Sequence, residues 1–476
     1  MKLSFLGACR QVTGSMYLLE LEDDFKILID CGLDTGNKFK DVVPDQYGNI
    51  FPFDPSDLDL VILTHAHMDH TGLLPNLVRY GYDGQILSTA PTYSLTRLLL
   101  LDSAALNERR MEAAKKESRF ALSEKGREKN YYHEHYYLER HVEDTTNRFV
   151  SIAFNLPYRI IDGVSVTFVT AGHLLGAAHV FISVKEKGEV KKILFSGDIG
   201  RKGYPMLEDP IAPPKADYVI CETTYANRNL TEVADYEGKL LEMIIETCVK
   251  KSGRLIIPSF AIGKSQMLLY LLNNLYMNRK LPPVRVFLDS PLATGATRVS
   301  KKQIKYMNKE ARERFEDYEE IFDIENLSYV IESKQSKKIF DLTEPYIVIA
   351  SAGMADGGRV IGHIKHNIEN PNSTIFFINY CAEGTLGARL LAQPENIQID
   401  SKDYKVRAKI AQSEIYSAHA WHDDIVEFLS VQQPTEVKKI FLTHGESDNM
   451  EIFRTELNRL GYQNVDIPEK GQVFDL

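Results

Sequence analysis

The chain has 476 residues, 44% of them hydrophobic and 26% charged, with a net charge of −10. That is room for two or three domains of ordinary globular composition. The longest apolar run, at residues 98–101, is far too short to span a bilayer. The acidic balance also excludes a broad basic coat for nucleic acid. Work on a polyanion would need positive charge gathered locally, from metal ions, a few Arg or Lys, or helix N-termini.

In chain order, MKLSFLGACR reads as a first strand rather than a signal peptide, because it lacks an extended apolar stretch and a small-residue cleavage site. SMYLLEL, FKILID and DLVILTH follow with no helices between them, which predicts an antiparallel or mixed sheet. Residues 92–148 read as a charged helical surface excursion, with a patch rich in tyrosine and histidine at 131–137. SVTFVTAGH, HVFISV and KKILFSGD then resume the strands.

From residue 226 to residue 414 the rhythm changes to strand, Gly-containing turn and amphipathic helix. RLIIPSFAIGKSQMLLYLLN, EPYIVIASAGMADGGRVIGHIKH and TIFFINYCAEGTLGARLL are the clear cases, and VRVFLDSPLATGATRV is a weaker one. This is the grammar of a doubly wound α/β sheet. VKKIFLTHGES returns to the first style, so one domain is inserted in another: 1–226 and 415–476 form the first, 227–414 the insert.

Cys9, Cys31, Cys221, Cys248 and Cys381 are odd in number, widely spaced and without a C-x-x-C pair. They suit buried positions in a cytoplasmic protein, not a disulfide framework or a cysteine–zinc site.

The segment VILTHAHMDHTG crowds His65, His67, Asp69 and His70 between a buried strand and a helix. Side chains alternate in extended chain, so His65 and His67 point the same way, and the turn aims Asp69 and His70 at a second point nearby. Imidazole and carboxylate are ligands that Zn²⁺ accepts. His173, Asp198, His444 and Asp30 each end an apolar strand, and such ends converge on one sheet edge. Counting ligands gives one zinc to His65, His67 and His173 and a second to Asp69, His70 and His444. Asp198 bridges them, and Asp30 orients a ligand or holds the loop.

These motifs resemble the metallo-β-lactamase superfamily and, within it, the β-CASP branch of nucleic-acid-processing enzymes. Asp30, THAHMDH (64–70), the AGH ending at His173 and SGD (196–198) match the general motifs. Glu222 in CETTYANR, His419 in YSAHAWHDD and His444 in LTHGESDNM match the three branch motifs, and IPSFAIGKSQ, LDSPLA, SAGMADGGR and AEGTLGARLL match the inserted domain. The resemblance runs over nearly the whole chain. It implies an αββα metallo-β-lactamase sandwich with an inserted doubly wound α/β β-CASP domain, two Zn²⁺ and hydrolysis of single-stranded RNA. Among relatives of this layout dimers are common, so a homodimer is an open expectation; no membrane partner is expected.

Within that reading, His419 gives the leaving oxygen its proton, Glu222 hydrogen-bonds His419, and Asp69 or Asp198 guides the proton of the attacking water. Substrate contacts are expected at Gly353, Gly357, Gly358 and Arg359, and at Ser259 and Lys264, where Gly-rich turns feed helix N-termini. Trp421 and His422 are expected to shape the loop after His419. His179 reads as structural, and His363 and His366 as surface or cleft residues. His133, His135 and His141 are too loosely spaced for a metal. A DNA nuclease of the same branch, a small-molecule metallo-hydrolase and a non-catalytic RNA-binding scaffold are the rivals. His444 at the third branch motif favours RNA over DNA.

Overall fold

The computed structural model describes residues 1–34, 50–118, 136–230 and 234–476. The chain divides into two compact units. The first comprises Met1–Lys202, Asp209–Asn229 and His419–Leu476, and the second Gly203–Glu208 and Leu230–Ala418. The hexapeptide Gly203–Glu208 thus packs with the second unit, although the sequence pattern there continues that of the first.

In the first unit, strands β1 (Lys2–Phe5), β2 (Tyr17–Glu20), β3 (Lys26–Ile29), β4 (Leu60–Ile62), β5 (Gln85–Ser88) and β6 (Phe149–Ser151) build one mixed sheet. The second sheet starts with β7 (Tyr158–Ile161), β8 (Val164–Thr170), β9 (Ala178–Glu186), β10 (Glu189–Phe195) and β11 (Tyr218–Glu222). The second unit carries β12 (Arg254–Pro258), β13 (Arg285–Asp289), β14 (Leu327–Tyr329), β15 (Tyr346–Ala350), β16 (Thr374–Phe377), a hairpin of β17 (Asn396–Ile399) and β18 (Lys402–Lys405), and β19 (Lys409–Gln412). The chain returns with β20 (Lys439–Thr443), β21 (Val465–Asp466) and β22 (Val473–Asp475). The sheet orders are 22-1-2-3-4-5-6 and 21-20-11-10-9-8-7 in the first unit, and 14-13-15-12-16-19 in the second.

Period-2 alternation makes the first unit four layers deep. Ile27, Ile29, Ile193 and Phe195 face the core between the two sheets, with Phe5, Phe168 and Phe441. Their neighbours Leu28 and Leu194 face outward into two further cores. One lies under the helices Leu74–Arg79 and Ala90–Ser118, the other under His422–Ser430 and Ser447–Arg459. The expected surface excursion is therefore only partly one. Leu100, Ala104, Tyr137 and Val142 are buried against Leu63 and Leu74, because an apolar stripe on a charged helix suffices to dock it. His133, His135 and most of the 131–137 patch lie outside the described residues.

All strand pairs in the six-stranded sheet of the second unit are parallel. The connection leaving β12 runs to β13 on one side, and the one leaving β15 runs to β16 on the other. The order reverses between β12 and β15, which is where open α/β sheets form their crevice.

Asp289, at the end of β13, knits that edge together. Its carboxylate accepts from Arg359 Nη1 at 2.7 Å, Ser336 Oγ at 2.5 Å and His363 Nε2 at 2.7 Å, and it is fully buried together with His363. His363 is thus a core residue, not the expected surface or cleft one; His366 is exposed and stacks on Phe340. Burial alone would raise the Asp289 carboxyl, but the three donors hold it below the usual carboxylate range. A depressed value means stability that is present above the ordinary carboxylate pKa and lost as pH falls through the lowered one. Asp289→Ala should destabilise the second unit by about 1–3 kcal/mol at neutral pH, because it leaves buried donors, foremost the His363 imidazole, without their acceptor. Urea unfolding followed between pH 7 and pH 3 should show that gap narrowing on the acid side.

Candidate metal centre

Strand ends place the donor-bearing residues. β4 delivers Thr64 and His65, β8 leads to His173, β10 to Asp198, β11 ends in Glu222 and β20 leads to His444. β11 and β20 are parallel neighbours with Glu222 opposite Thr443, although more than two hundred residues separate them. Two glycines permit the loops to approach. A Cβ on Gly32 would stand 1.7 Å from Asp69 O, and one on Gly200 would stand 2.1 Å from the Gly172 carbonyl carbon.

Two groups of donor atoms result. In the first, His65 Nε2 lies 3.0 Å from His67 Nδ1, which lies 3.3 Å from His173 Nε2. Asp198 Oδ2 is 3.5 Å from the His65 nitrogen and 3.4 Å from the His173 nitrogen. In the second, His444 Nε2 is 3.4 Å from Asp69 Oδ2 and 3.7 Å from Asp198 Oδ1, and His70 Nε2 is 3.3 Å from Asp198 Oδ1. Each oxygen of Asp198 faces a different group.

Four ligands at about 2.0–2.2 Å from a tetrahedral cation stand roughly 3.3–3.6 Å apart. The observed spacings fall in and around that interval. Two further observations fit a cation. The three nitrogens of the first group face one another, an arrangement in which imidazoles cannot all satisfy each other. Asp198 Oδ1 is buried and makes no well-directed hydrogen bond among the described residues despite its close neighbours. The atoms are arranged around points, not aimed at each other.

The outer contacts fix the rings. Asp30 is buried, and its Oδ2 pairs with His70 Nδ1 at 2.7 Å while Thr64 donates to it through both its backbone N–H and its hydroxyl, each at 2.8 Å. That leaves Nε2 of His70 for the centre. Thr64 Oγ1 also sits 3.1 Å from His65 Nδ1, and Thr224 Oγ1 is 3.1 Å from His444 Nδ1. Nothing in the sequence singles out Thr64 or Thr224 except adjacency to a motif residue.

Charge differs between the groups. Burial pushes His65 and His173 well below the usual imidazole value and His67 down to about 4, which favours the neutral ring that a cation needs. At His70 and His444 burial acts in the same direction, but Asp198 with Asp30 and Asp198 with Asp69 overcome it and raise both. Asp69 is lowered to about 2: burial opposes this, and the His444 hydrogen bond together with the charges of His70 and His444 outweighs it.

A third cluster adjoins the first two. His419 Nδ1 lies 3.2 Å from Glu222 Oε1 and 3.9 Å from Asp198 Oδ2. Glu222 is itself held by the backbone N–H groups of Ile199 at 2.8 Å and Thr224 at 3.1 Å. His179 is buried apart from this, with Nδ1 bonded to Ser196 O at 2.6 Å, and His141 accepts from the Leu138 N–H at its own helix start.

The residues expected to contact substrate lie in the second unit, in loops after β12 and β15 at the order reversal, yet most of their polar groups are engaged within that unit. Ser259 is fully buried and donates to Phe260 O. Lys264 Nζ bonds Tyr416 O and Tyr204 OH. Arg359 is spent on Asp289 and on the carbonyls of Val330 and Ile331. Gly353 packs so closely on Asn379 and Phe260 that a Cβ would meet them at 2.9–3.0 Å, whereas Gly357 is open and Gly358 holds a positive φ of 73°. At Gly357 and Gly358 it is the backbone that is open to approach. The sequence shows a basic residue beside glycines; it does not show the carboxylate opposite.

Three family models match the chain: the metallo-beta-lactamase superfamily over residues 9–234, the Beta-Casp domain over 265–390, and the Zn-dependent metallo-hydrolase RNA specificity domain over 403–468. A ribonuclease of Thermus thermophilus is 30% identical over 473 residues, covering 99% of both chains. The transcription termination factor FttA of Methanocaldococcus jannaschii is 28% identical, covering 98% of this chain and 70% of that one. The FttA of a Lokiarchaeum is 25% identical, covering 99% and 71%. The strand ends that gather the donors belong to both sheets of the first unit, not to the one sheet edge that the sequence suggests. With its donor residues gathered there and these matches spanning nearly its whole length, the chain belongs to the β-CASP branch of the metallo-β-lactamase superfamily and is a metal-dependent hydrolase.

Proposed function

We propose that the chain is a ribonuclease that hydrolyses phosphodiester bonds of single-stranded RNA with two bound Zn²⁺. The observation that carries this reading is the pair of donor groups with Asp198 in reach of both, and the Glu222–His419 pair beside them. His65, His67 and His173 would hold one cation and Asp69, His70 and His444 the other, with Asp198 common to both. The nitrogen and oxygen donors suit zinc. Bound cations of this kind make hydroxide available at neutral pH and offset charge on the phosphoryl oxygens.

The chain's own groups supply the rest. Glu222, fixed by two backbone N–H groups, orients His419 through Nδ1. From its other ring nitrogen, Nε2, His419 would protonate the leaving oxygen. Asp69, with 22% of its side chain exposed against 3% or less for His444 and Asp198, is the ligand carboxylate best placed to guide the proton of the attacking water. The match to an RNA specificity domain and the similarity to a ribonuclease support RNA as substrate. A single strand suits a centre whose ligands are nearly all buried. The five cysteines are free, which favours a reducing, cytoplasmic setting. Among the described residues no helix is long and apolar enough to cross a membrane.

Incubation with 5′- and 3′-labelled RNA and matched DNA, with and without a chelator, tests the reading. Cleavage of RNA in preference to DNA, abolished by chelation and restored by zinc, is expected; chelator-resistant cleavage overturns it. His419→Ala should keep its zinc and lose about 10²–10⁴-fold in RNA turnover. Normal cleavage at unchanged metal content would remove the proton-donor role. Asp30→Asn leaves every donor in place but loosens the His70 ring. Titration against a competing zinc chelator should show affinity at one site weaker by about 10–100-fold.

A further inference from the structure

The chain's single tryptophan, Trp421, lies two residues after His419. It is 3% exposed, and its indole Nε1 has no hydrogen-bond partner among the described residues. Ring packing holds it instead. One face stacks on Tyr225, with centroids 4.6 Å apart and planes 12° from parallel. The Arg201 guanidinium, also buried, lies over the ring at 5.8 Å. Tyr225 in turn meets the His419 ring edge to face at 5.9 Å and 81°.

All four residues belong to the first unit, and His419 is the residue at which the chain re-enters it. The re-entry is anchored at each step after His419. The Ala420 N–H donates to Ile199 O at 2.7 Å, the Trp421 N–H to Asp424 Oδ2 at 3.0 Å and the His422 N–H to Arg228 O at 2.9 Å. Ile199 follows Asp198 directly, and its own N–H fixes Glu222. The backbone after His419 is therefore tied to the segment carrying the shared aspartate. The ring of His419 meets Glu222 Oε1 at 3.2 Å and Asp198 Oδ2 at 3.9 Å, both through Nδ1, and lies against the His173 ring with centroids 4.4 Å apart. Polar contacts that converge on one ring nitrogen set a distance more than an angle. The flat aromatic edge of Tyr225 restrains the tilt of the ring from another side.

We propose that Trp421 is a positioning residue for His419, acting through Tyr225, so that the Arg201–Trp421–Tyr225 stack sets the angle at which His419 presents Nε2 to the leaving oxygen. The inference rests on the reading of His419 as proton donor. Misplacing a reacting group by about 1 Å costs on the order of 10²-fold in rate, so a stack that fixes this ring has a measurable effect without touching substrate.

The test compares two substrates on the zinc-loaded, full-length protein: single-stranded RNA, whose leaving alkoxide needs a proton, and bis(4-nitrophenyl) phosphate, whose nitrophenolate departs without one. A general structural defect lowers both rates together; a misplaced proton donor lowers the ratio of RNA to nitrophenyl ester cleavage. Trp421→Ala should lower that ratio about 10–100-fold, and Trp421→Phe, which keeps a ring against Tyr225, should bring most of it back. The Trp421→Ala, His419→Ala double variant should be no worse than His419→Ala alone, because both changes act on one group. Tyr225→Leu provides the same test should Trp421→Ala fail to fold. Parallel loss on both substrates, or losses that multiply in the double variant, would overturn the positioning role while leaving the proton donor intact. An unchanged ratio in His419→Ala would instead overturn the donor reading, and the role of Trp421 with it.

Discussion

Everything at this centre turns on one buried carboxylate. Asp198 is 2% exposed, and its two oxygens look into two different sets of donors, with His65 and His173 on one side and His70 and His444 on the other. A carboxylate removed from water without compensation is very costly. Here the compensation is local and positive: the surrounding imidazoles, His444 and His70 foremost, hold it well below the usual carboxylate range against the opposing effect of burial. The same arrangement makes the two sets interdependent. A shift of Asp198 moves one oxygen out of each, so the geometry of the SGD turn controls both at once. Gly197 at φ +54° and the close crossing of Gly200 over Gly172 are what hold that turn.

The fold supplies that rigidity by ending strands there. Leu194 and Phe195 of β10 face opposite layers and are both buried, so the strand cannot slip by one residue without exposing one and burying a lysine. β11 and β20 then bring Glu222 and His444 alongside, and their register is fixed by the apolar residues Val219, Ile220, Phe441 and Leu442 on both faces. Chemistry at the strand ends thus inherits its precision from packing within the sheet, where a one-residue error is most expensive.

This explains what was legible in the sequence. Apolar strands ending in His or Asp can be read one by one, and the crowding of His65, His67, Asp69 and His70 is a local signal that needs no tertiary knowledge. The parallel sheet of the second unit was readable from its turn-and-helix rhythm. Other features depend on what register places opposite a side chain. Spacing does not say that His67 offers Nδ1 while His65 offers Nε2, because that choice follows from Thr64 and the path of the loop. Arg359 beside two glycines looks like a phosphate ligand, and nothing in the sequence says that Asp289, seventy residues earlier, stands against it. His363 looks amphipathic on its helix until the same carboxylate buries it. Polar side chains carry no periodicity that names their partners, so these pairings stay hidden for one reason.

The insertion point has a consequence for how such a chain can vary. Every residue of the two donor groups, together with Glu222 and His419, belongs to the first unit, although that unit is assembled from three stretches of chain. Within it the departing and returning segments are stapled together. Asn229 and Asp423 exchange hydrogen bonds at 3.1 and 3.3 Å, and the His422 N–H reaches Arg228 O. Closing a long loop costs only logarithmically in its length, so once its ends are fixed the size of the insert matters little to the first unit. The centre can therefore keep its geometry while the inserted domain changes. His419 stands at the final junction, one residue from the insert and one hydrogen bond from Glu222, and is the group of the centre most exposed to such change. A stack of buried rings immediately behind it is the kind of anchor that position requires.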